Sequence, residues 1–230
     1  MDERTGLAHD YTRRRDDIAG WILAPAEAPD WVQNREELWN RVEGAERRKD
    51  SQVAREVEVA LPVELTREAQ DELVYKFARE QFAERGMVAD VNIHRGDGQN
   101  PHAHILLTTR ALEGDDFGAK NRDWNRREVL EQAREAWARN TNRELERAGY
   151  ETRVDHRSNK ARGIDKEPTR HEGPDVRDME ARGIRTDRGN LNRQAYRRNT
   201  ERGRDQEPER RRESSKSRGR ERDHEPDRDL

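Results

Sequence analysis

The sequence predicts an α+β fold, in which an antiparallel sheet carries helices packed on one face and a charged, largely extended or disordered C-terminal tail follows. Two observations favour this fold. Segments with alternating apolar residues are interspersed with segments of helical apolar spacing, in the order strand, helix, strand, helix, strand, strand. These apolar segments lie within residues 18–112, whereas the chain from about residue 155 onward has almost no apolar residues to bury.

The first strand and the first helix are predicted at the start of the apolar region. Ile18–Leu23 is a short apolar run followed by a proline, which is typical of a strand. A helix follows, with Asp30 as its predicted N-cap. Its apolar residues recur at helical spacing and are Trp31, Leu38, Trp39 and Val42.

Val53–Leu61 alternates between apolar and charged residues, which predicts a second strand. Thr66 then precedes a second helix that ends near Gly86. The apolar stripe of this helix comprises Leu73, Val74, Phe77, Ala78 and Phe82.

Two further strands and a last helix complete the predicted core. Met87–His94 and His104–Thr109 alternate again and are predicted to be strands. A helical pattern over residues 126–148 ends before Gly149, a residue type that commonly terminates helices. The basic stretch 120–127 leads into this helix and is a candidate contact for phosphate, or simply a solvated helix start.

The composition limits the class of protein. Charged residues make up 42% of the 230 residues, hydrophobic residues 30%, and there is no cysteine, so disulfides and cysteine-ligated metals are excluded. No apolar run is long enough to cross a membrane, and the first residues do not form a signal peptide, so we expect a cytoplasmic protein without membrane insertion. Residues 155–230 carry a net charge of +4 and residues 1–154 one of −7, so any nucleic-acid groove must be a local patch.

These patterns predict three regions. Residues 1–154 form the α+β domain, residues 155–190 are a polar extension of it, and residues 191–230 are a charged low-complexity tail or the start of a truncated helix.

Three of the seven histidines, His94, His102 and His104, lie within eleven residues. His102 and His104 share one face of a strand because side chains two residues apart point the same way. The intervening residues 95–101 contain two glycines and a proline, which suits a hairpin-like turn that brings His94 alongside. Three converging imidazoles predict a metal site with positions left open for a substrate. The alternative is ordinary polar surface.

Two acidic residues share a face of another predicted strand. Glu56 and Glu58 alternate with apolar residues, so both carboxylates project to the same side of the sheet. If this strand lies near the histidines, a carboxylate there can orient a metal-binding imidazole or accept a proton from a hydroxyl nucleophile. The alternative is the solvated side of a half-buried strand.

Several segments together resemble the MobA/MobL family of plasmid mobilisation relaxases. The resemblance is carried by Asn100–Ile105 with the preceding His94 and by Arg55–Pro62, and it continues over roughly residues 1–190. Further matching segments are Arg134–Trp137, Leu145–Gly149, Asp155–Ser158, Gly163–Asp165, Pro168–Thr169, His171–Pro174 and Glu180–Asp187.

The resemblance implies a relaxase with a five-stranded antiparallel sheet. Such an enzyme nicks one DNA strand at an origin of transfer: a tyrosine hydroxyl attacks the scissile phosphate while a divalent cation, Mg²⁺ or Mn²⁺, neutralises its charge. By motif match, His94, His102 and His104 are the metal ligands. Glu56 and Glu58 are the acidic residues, with Glu58 preferred as the one nearer the nucleophile. The implied partners are single-stranded origin-of-transfer DNA and other relaxosome and coupling proteins.

The sequence departs from the family at its start. Members of the family begin with a strand and a helix bearing the nucleophilic tyrosine, ahead of the segment that matches residues 2–11 here. We therefore expect this chain to lack the nucleophile as an N-terminally truncated copy, with Tyr11 as a weak substitute and Tyr75 in core packing. A non-catalytic DNA-binding accessory protein of mobilisation is the second hypothesis. A zinc hydrolase acting on a small substrate is the third.

Overall fold

The computed structural model describes residues 18–48, 50–95 and 100–202. The chain divides into two compact units, the first ending at His156 and the second beginning at Arg157. Tyr11 and the part of the predicted tail beyond residue 202 lie outside the described residues. Within the described ranges, no helix combines the length and apolar composition needed to cross a membrane.

Four antiparallel strands form the main sheet of the first unit. They are β1 (Ile18–Leu23), β2 (Ala54–Ala60), β3 (Ala89–His94) and β4 (His102–Thr108). Their spatial order is β1-β3-β4-β2, so the two strands that bear the histidines are central and paired on both sides. The family resemblance implies five strands, of which the described residues supply these four.

A second, two-stranded sheet follows directly in the chain and was not predicted. It pairs β5 (Arg110–Glu113) with β6 (Asp116–Lys120) as a tight hairpin. Gly114 lies in the turn with a φ of 66°, a left-handed conformation that glycine adopts without strain.

The helices of the first unit are α1 (Arg35–Gly44), α2 (Arg67–Gln81) and α3 (Arg127–Arg147). The side chain of Thr66, which precedes the predicted second helix, caps α2 by accepting the Ala69 N–H. The prediction that Asp30 caps the first helix is wrong. Asp30–Gln33 forms a short 3₁₀ turn, and α1 begins one turn later because the Asn34 side chain accepts the Glu37 N–H.

The predicted fold class is confirmed by an apolar layer between the sheet and two helices. Helices α2 and α3 pack on one face of the sheet, where Phe77 of α2 contacts Phe82 and Trp137 in edge-on ring pairs. The strand residues that face these helices alternate along β3 and β4 and are fully buried. They are Val91, Ile93, Ala103, Ile105 and Leu107.

Helix α1 and the β5–β6 hairpin lie against one end of the opposite face of the sheet. A smaller apolar cluster joins them there and includes Ile22 of β1, Trp31, Trp39 and Phe117. This arrangement covers the end of the face at Asp90 and leaves the end that carries the histidines half-buried.

The second unit contains α4 (Gly173–Ala181) and a helix over residues 187–202, which crosses the boundary predicted at residue 190. Two asparagines of the helix over residues 187–202 form hydrogen bonds with the backbone of the irregular segment 165–170, which runs alongside that helix. Asn192 bonds both the N–H and the carbonyl of Arg170, and Asn199, two turns further on, does the same with Glu167. Few apolar side chains in residues 157–202 are buried, so this described part of the unit is packed mainly through polar contacts.

Candidate metal centre

The antiparallel register of β3 and β4 brings the three histidines together. His94 lies directly opposite His102, and His104 lies opposite Asn92, two residues along the same face. The ring centroids are separated by 5.4 Å for His94–His102 and by 5.0 Å for the other two pairs. One ligand nitrogen from each ring lies within 4.8 Å of the others, close enough for small side-chain rotations to place all three around one ion.

Hydrogen bonds at Nδ1 set the orientation of two of the imidazoles. His102 Nδ1 lies 2.7 Å from the Asn100 carbonyl oxygen, and His104 Nδ1 lies 2.6 Å from a carboxylate oxygen of Glu56. Both partners are acceptors, so each Nδ1 carries the proton and donates it. The Nε2 lone pair of a neutral ring is then available to a metal, which is the usual arrangement of metal-binding histidines.

The two predicted acidic residues lie on the histidine-bearing face but occupy different positions. Glu56 forms the diagonal hydrogen bond with His104, whereas Glu58 is directly opposite His104 in the strand register. Both side chains are exposed. The structure therefore gives Glu56 an orienting contact, and the role of Glu58 as the residue nearer the nucleophile stays a prediction.

The donor set of the cluster distinguishes among metals. Three imidazole nitrogens suit transition-metal ions, whereas Mg²⁺ prefers oxygen ligands and retains its waters. The residues present therefore fit a divalent transition metal, and of the two ions predicted they favour Mn²⁺ over Mg²⁺.

The described tyrosines lie elsewhere. Tyr75 projects from α2 and packs edge-on against Trp21 on the core face of the sheet, opposite the histidines, as predicted. Tyr150 is exposed after the end of α3, and Tyr196 is exposed in the second unit.

The basic stretch considered for phosphate contact is largely paired within the protein. Lys120 lies 3.0 Å from the Glu46 carboxylate and 2.6 Å from the Gln52 carbonyl oxygen. Burial alone would raise the pKa of Glu46, but hydrogen bonds from Arg110 and Lys120 outweigh it and lower that pKa. Lys120 therefore joins the hairpin to the segment after α1.

Sequence reasoning missed a charged network beside the histidines. Asp90 of β3 is 3% exposed, and its carboxylate accepts hydrogen bonds from Arg35, Trp39 and Asn92. Alternation along β3 already placed Asp90 on the polar face, but its partners on α1 are 51 and 55 residues away, so no local signal identified them.

The fold and the site together define an α+β protein with a cluster of three histidines, suited to bind a metal ion, on an antiparallel sheet. The MobA/MobL family model matches residues 1–182, and the chain belongs to the MobA/MobL family. Members of this family generally use a divalent metal, in agreement with the histidine cluster.

Individual relatives agree with this assignment. Mobilization protein A of Escherichia coli is 37% identical over 181 residues, covering 71% of this chain and 25% of that protein. Mobilization protein MobL of Acidithiobacillus ferridurans is 33% identical, covering 79% of this chain and 56% of that protein. The chain thus spans between a quarter and just over half the length of these relatives.

A solved structure described as "Molecular Basis of Vancomycin Resistance Transfer in Staphylococcus aureus" is also similar. It superposes with a TM-score of 0.61 at 38% identity, covering 65% of this chain and 79% of that one. The similarity therefore extends from sequence to the arrangement of strands and helices.

Proposed function

We propose that this chain carries the metal-binding part of a relaxase site, which nicks one DNA strand at an origin of transfer during plasmid mobilisation. The observation that carries the proposal is the convergence of His94, His102 and His104 on one sheet face, with Glu56 orienting His104. The names of the relatives, which are mobilization and conjugal transfer proteins, support the same process.

The chemistry follows from the groups on this face. The reaction is a transesterification, in which a tyrosine hydroxyl displaces the 3′ oxygen and remains bonded to the 5′ phosphate. A bound divalent ion supplies charge neutralisation at the scissile phosphate. His94, His102 and His104 would hold that ion, Glu56 would fix the tautomer of His104, and Glu58 would accept the hydroxyl proton.

The proposal includes the partners and the place of action. The substrate is single-stranded origin-of-transfer DNA, other relaxosome and coupling proteins are the protein partners, and the process takes place in the cytoplasm. Tyr75 has no catalytic role, because it packs on the opposite face of the sheet.

Metal titration by calorimetry tests the proposal on the full chain. We expect one Mn²⁺ to bind, with binding lost in His104→Ala and weakened about 10- to 100-fold in Glu56→Gln, which removes the orienting charge. His156→Ala is the matched control because that exposed histidine lies outside the cluster. Equal Mn²⁺ affinity in wild type and His104→Ala would refute the metal site.

A nicking assay with a labelled origin oligonucleotide and Mn²⁺ tests the enzymatic part. A covalent protein–DNA adduct that disappears in Tyr11→Phe would identify Tyr11 as the nucleophile. If deletion of residues 190–230 abolishes DNA binding while His102→Ala and His104→Ala change nothing, the accessory DNA-binding function replaces the relaxase.

A further inference from the structure

Arg35 at the start of α1 lies over the same sheet face as the histidines. Its guanidinium approaches Gly20 of β1 so closely that a Cβ built there would be 3.5 Å from Nη2. The same Cβ would be 3.2 Å from Oδ1 of Asn92, the residue that pairs with both Gly20 and His104. Gly20 therefore keeps this part of the face open beneath the guanidinium.

The distance from Arg35 to the metal centre follows from the strand order. Gly20, Asn92 and His104 lie on three adjacent strands in direct register. Since neighbouring strands are about 4.8 Å apart, the two steps from Gly20 to His104 cover about 10 Å. A DNA strand with its scissile phosphate at the histidines would pass Arg35 at one of the next phosphates.

The guanidinium of Arg35 is held in one orientation by a buried acceptor. Its Nε and Nη2 bond both oxygens of Asp90 at 2.8–3.0 Å, and the same carboxylate accepts Trp39 Nε1 at 2.9 Å. The Asp90 side chain is only 4% exposed, whereas that of Arg35 is 50% exposed. The Asp90 carboxylate is thus fully hydrogen-bonded and buried. It holds the Arg35 guanidinium in place, with the side away from Asp90 facing solvent.

The outer edge of this guanidinium has the geometry of a phosphate ligand. Arginine has five N–H donors, and Asp90 takes those on the Nε–Nη2 edge. Among the described residues, no partner bonds Nη1, so the end formed by Nη1 and the second Nη2 hydrogen remains available. Two parallel donors at fixed spacing match two oxygens of a phosphodiester.

We propose that Arg35 binds a backbone phosphate of the DNA strand next to the scissile phosphate, with Asp90 and Trp39 as positioning residues. The ligand is a phosphodiester of single-stranded DNA, and the contact does not depend on the base sequence. This inference rests on the proposed function, because the histidine centre defines where the strand runs. A guanidinium already held in place loses little conformational entropy when the phosphate binds.

Salt-dependent binding of a fluorescent, mixed-sequence single-stranded oligonucleotide tests the proposal on the full chain. For single strands, the slope of log affinity against log salt is about −0.7 for each phosphate neutralised. We expect Arg35→Gln to make that slope shallower by about 0.7 and to weaken binding several-fold at low salt. Arg41→Gln is the control, since Arg41 is on the same helix and also pairs with a carboxylate, but it stacks on Trp31 beside the hairpin.

If Arg35→Gln does not fold, Arg35→Lys provides a second test of the same phosphate contact. Lysine preserves the positive charge beside Asp90 but lacks a second pair of fixed donors. The Arg35→Lys variant should therefore fold but bind the oligonucleotide more weakly than wild type. Wild-type slope and affinity in a folded Arg35→Lys variant, or equal losses in Arg35→Gln and Arg41→Gln, would overturn the proposal.

Metal binding separates this inference from the proposed function. The Arg35 variants should bind Mn²⁺ as wild type does, because Arg35 is not a ligand. If the wild-type protein binds neither Mn²⁺ nor the oligonucleotide, the proposed function fails. If it binds both and Arg35→Lys leaves DNA binding unchanged, only the phosphate contact fails.

Discussion

The two units of the chain reach a folded state by different means. In the first unit, two helices cover a sheet face lined with fully buried apolar side chains. In the second, Asn192 and Asn199 bond the backbone of a neighbouring segment, and Arg198 and Arg202 pair with acidic residues of that segment. The first unit should therefore respond mainly to changes in buried volume and the second to changes in hydrogen bonding and charge.

The largest effect should come from a cavity in the first unit. Phe77 is 1% exposed and contacts Phe82 and Trp137, so Phe77→Ala should lower the free energy of unfolding by about 3–5 kcal/mol. Urea denaturation followed by tryptophan fluorescence measures it. The exposed Leu130→Ala on α3 is the control and should cost far less. A loss below about 1 kcal/mol would contradict the apolar description of this unit.

A smaller and local effect should come from an amide in the second unit. Asn192 is 6% exposed and makes three part-buried hydrogen bonds, two to the Arg170 backbone and one to Glu172, so Asn192→Ala removes the partner of each of these groups. The expected loss is about 1–3 kcal/mol. Hydrogen exchange should accelerate in residues 165–202 but not in β3 and β4.

Gln194→Ala is the matched control for that variant, because Gln194 is exposed on the same helix. Faster exchange in β3 and β4 as well would mean that the two units unfold together, which would remove the contrast between them.

The smallest effect should be an acid response of the second unit. Hydrogen bonds from Arg193, the Thr186 N–H and the Thr186 hydroxyl lower the pKa of Glu180 from 4.5 to about 2. Because the folded-state pKa is depressed, this stabilisation is present above pH 4.5 and is lost as the pH falls towards 2. Circular dichroism in urea across that range should show wild type losing more helix than Glu180→Gln, whose amide does not titrate. Identical acid profiles for the two proteins would contradict this assignment.

Most of the sheet could be predicted from the sequence because alternation is a local signal. The segments Val53–Leu61 and Met87–His94 show it clearly, and the structure has strands there. The β5–β6 hairpin was missed because its strands are only four and five residues long and each has a charged residue at both ends. Its apolar contacts, such as Phe117 against Trp31, come from a distant segment.

The histidine cluster was predictable for the same reason, since the spacing of His102 and His104 fixes their shared face. The contact of Glu56 rather than Glu58 with His104 was not predictable, because it depends on a diagonal across β2 and β4. The Arg35–Asp90 pair depends on how α1 docks on the sheet, and that is decided by tertiary packing.

The register of β4 has a consequence for how this site changes in evolution. Ala103 and Ile105 are fully buried, and His102 and His104 alternate with them on the same strand. A shift by one residue would turn both imidazoles into the apolar layer and expose the aliphatic side chains. A one-residue insertion in this strand would therefore disrupt the apolar layer and the histidine cluster at the same time. The two features are thus under selection together. Substitutions should therefore be tolerated better at the rim of the sheet, on α1 and the hairpin, where they leave the three imidazoles in place.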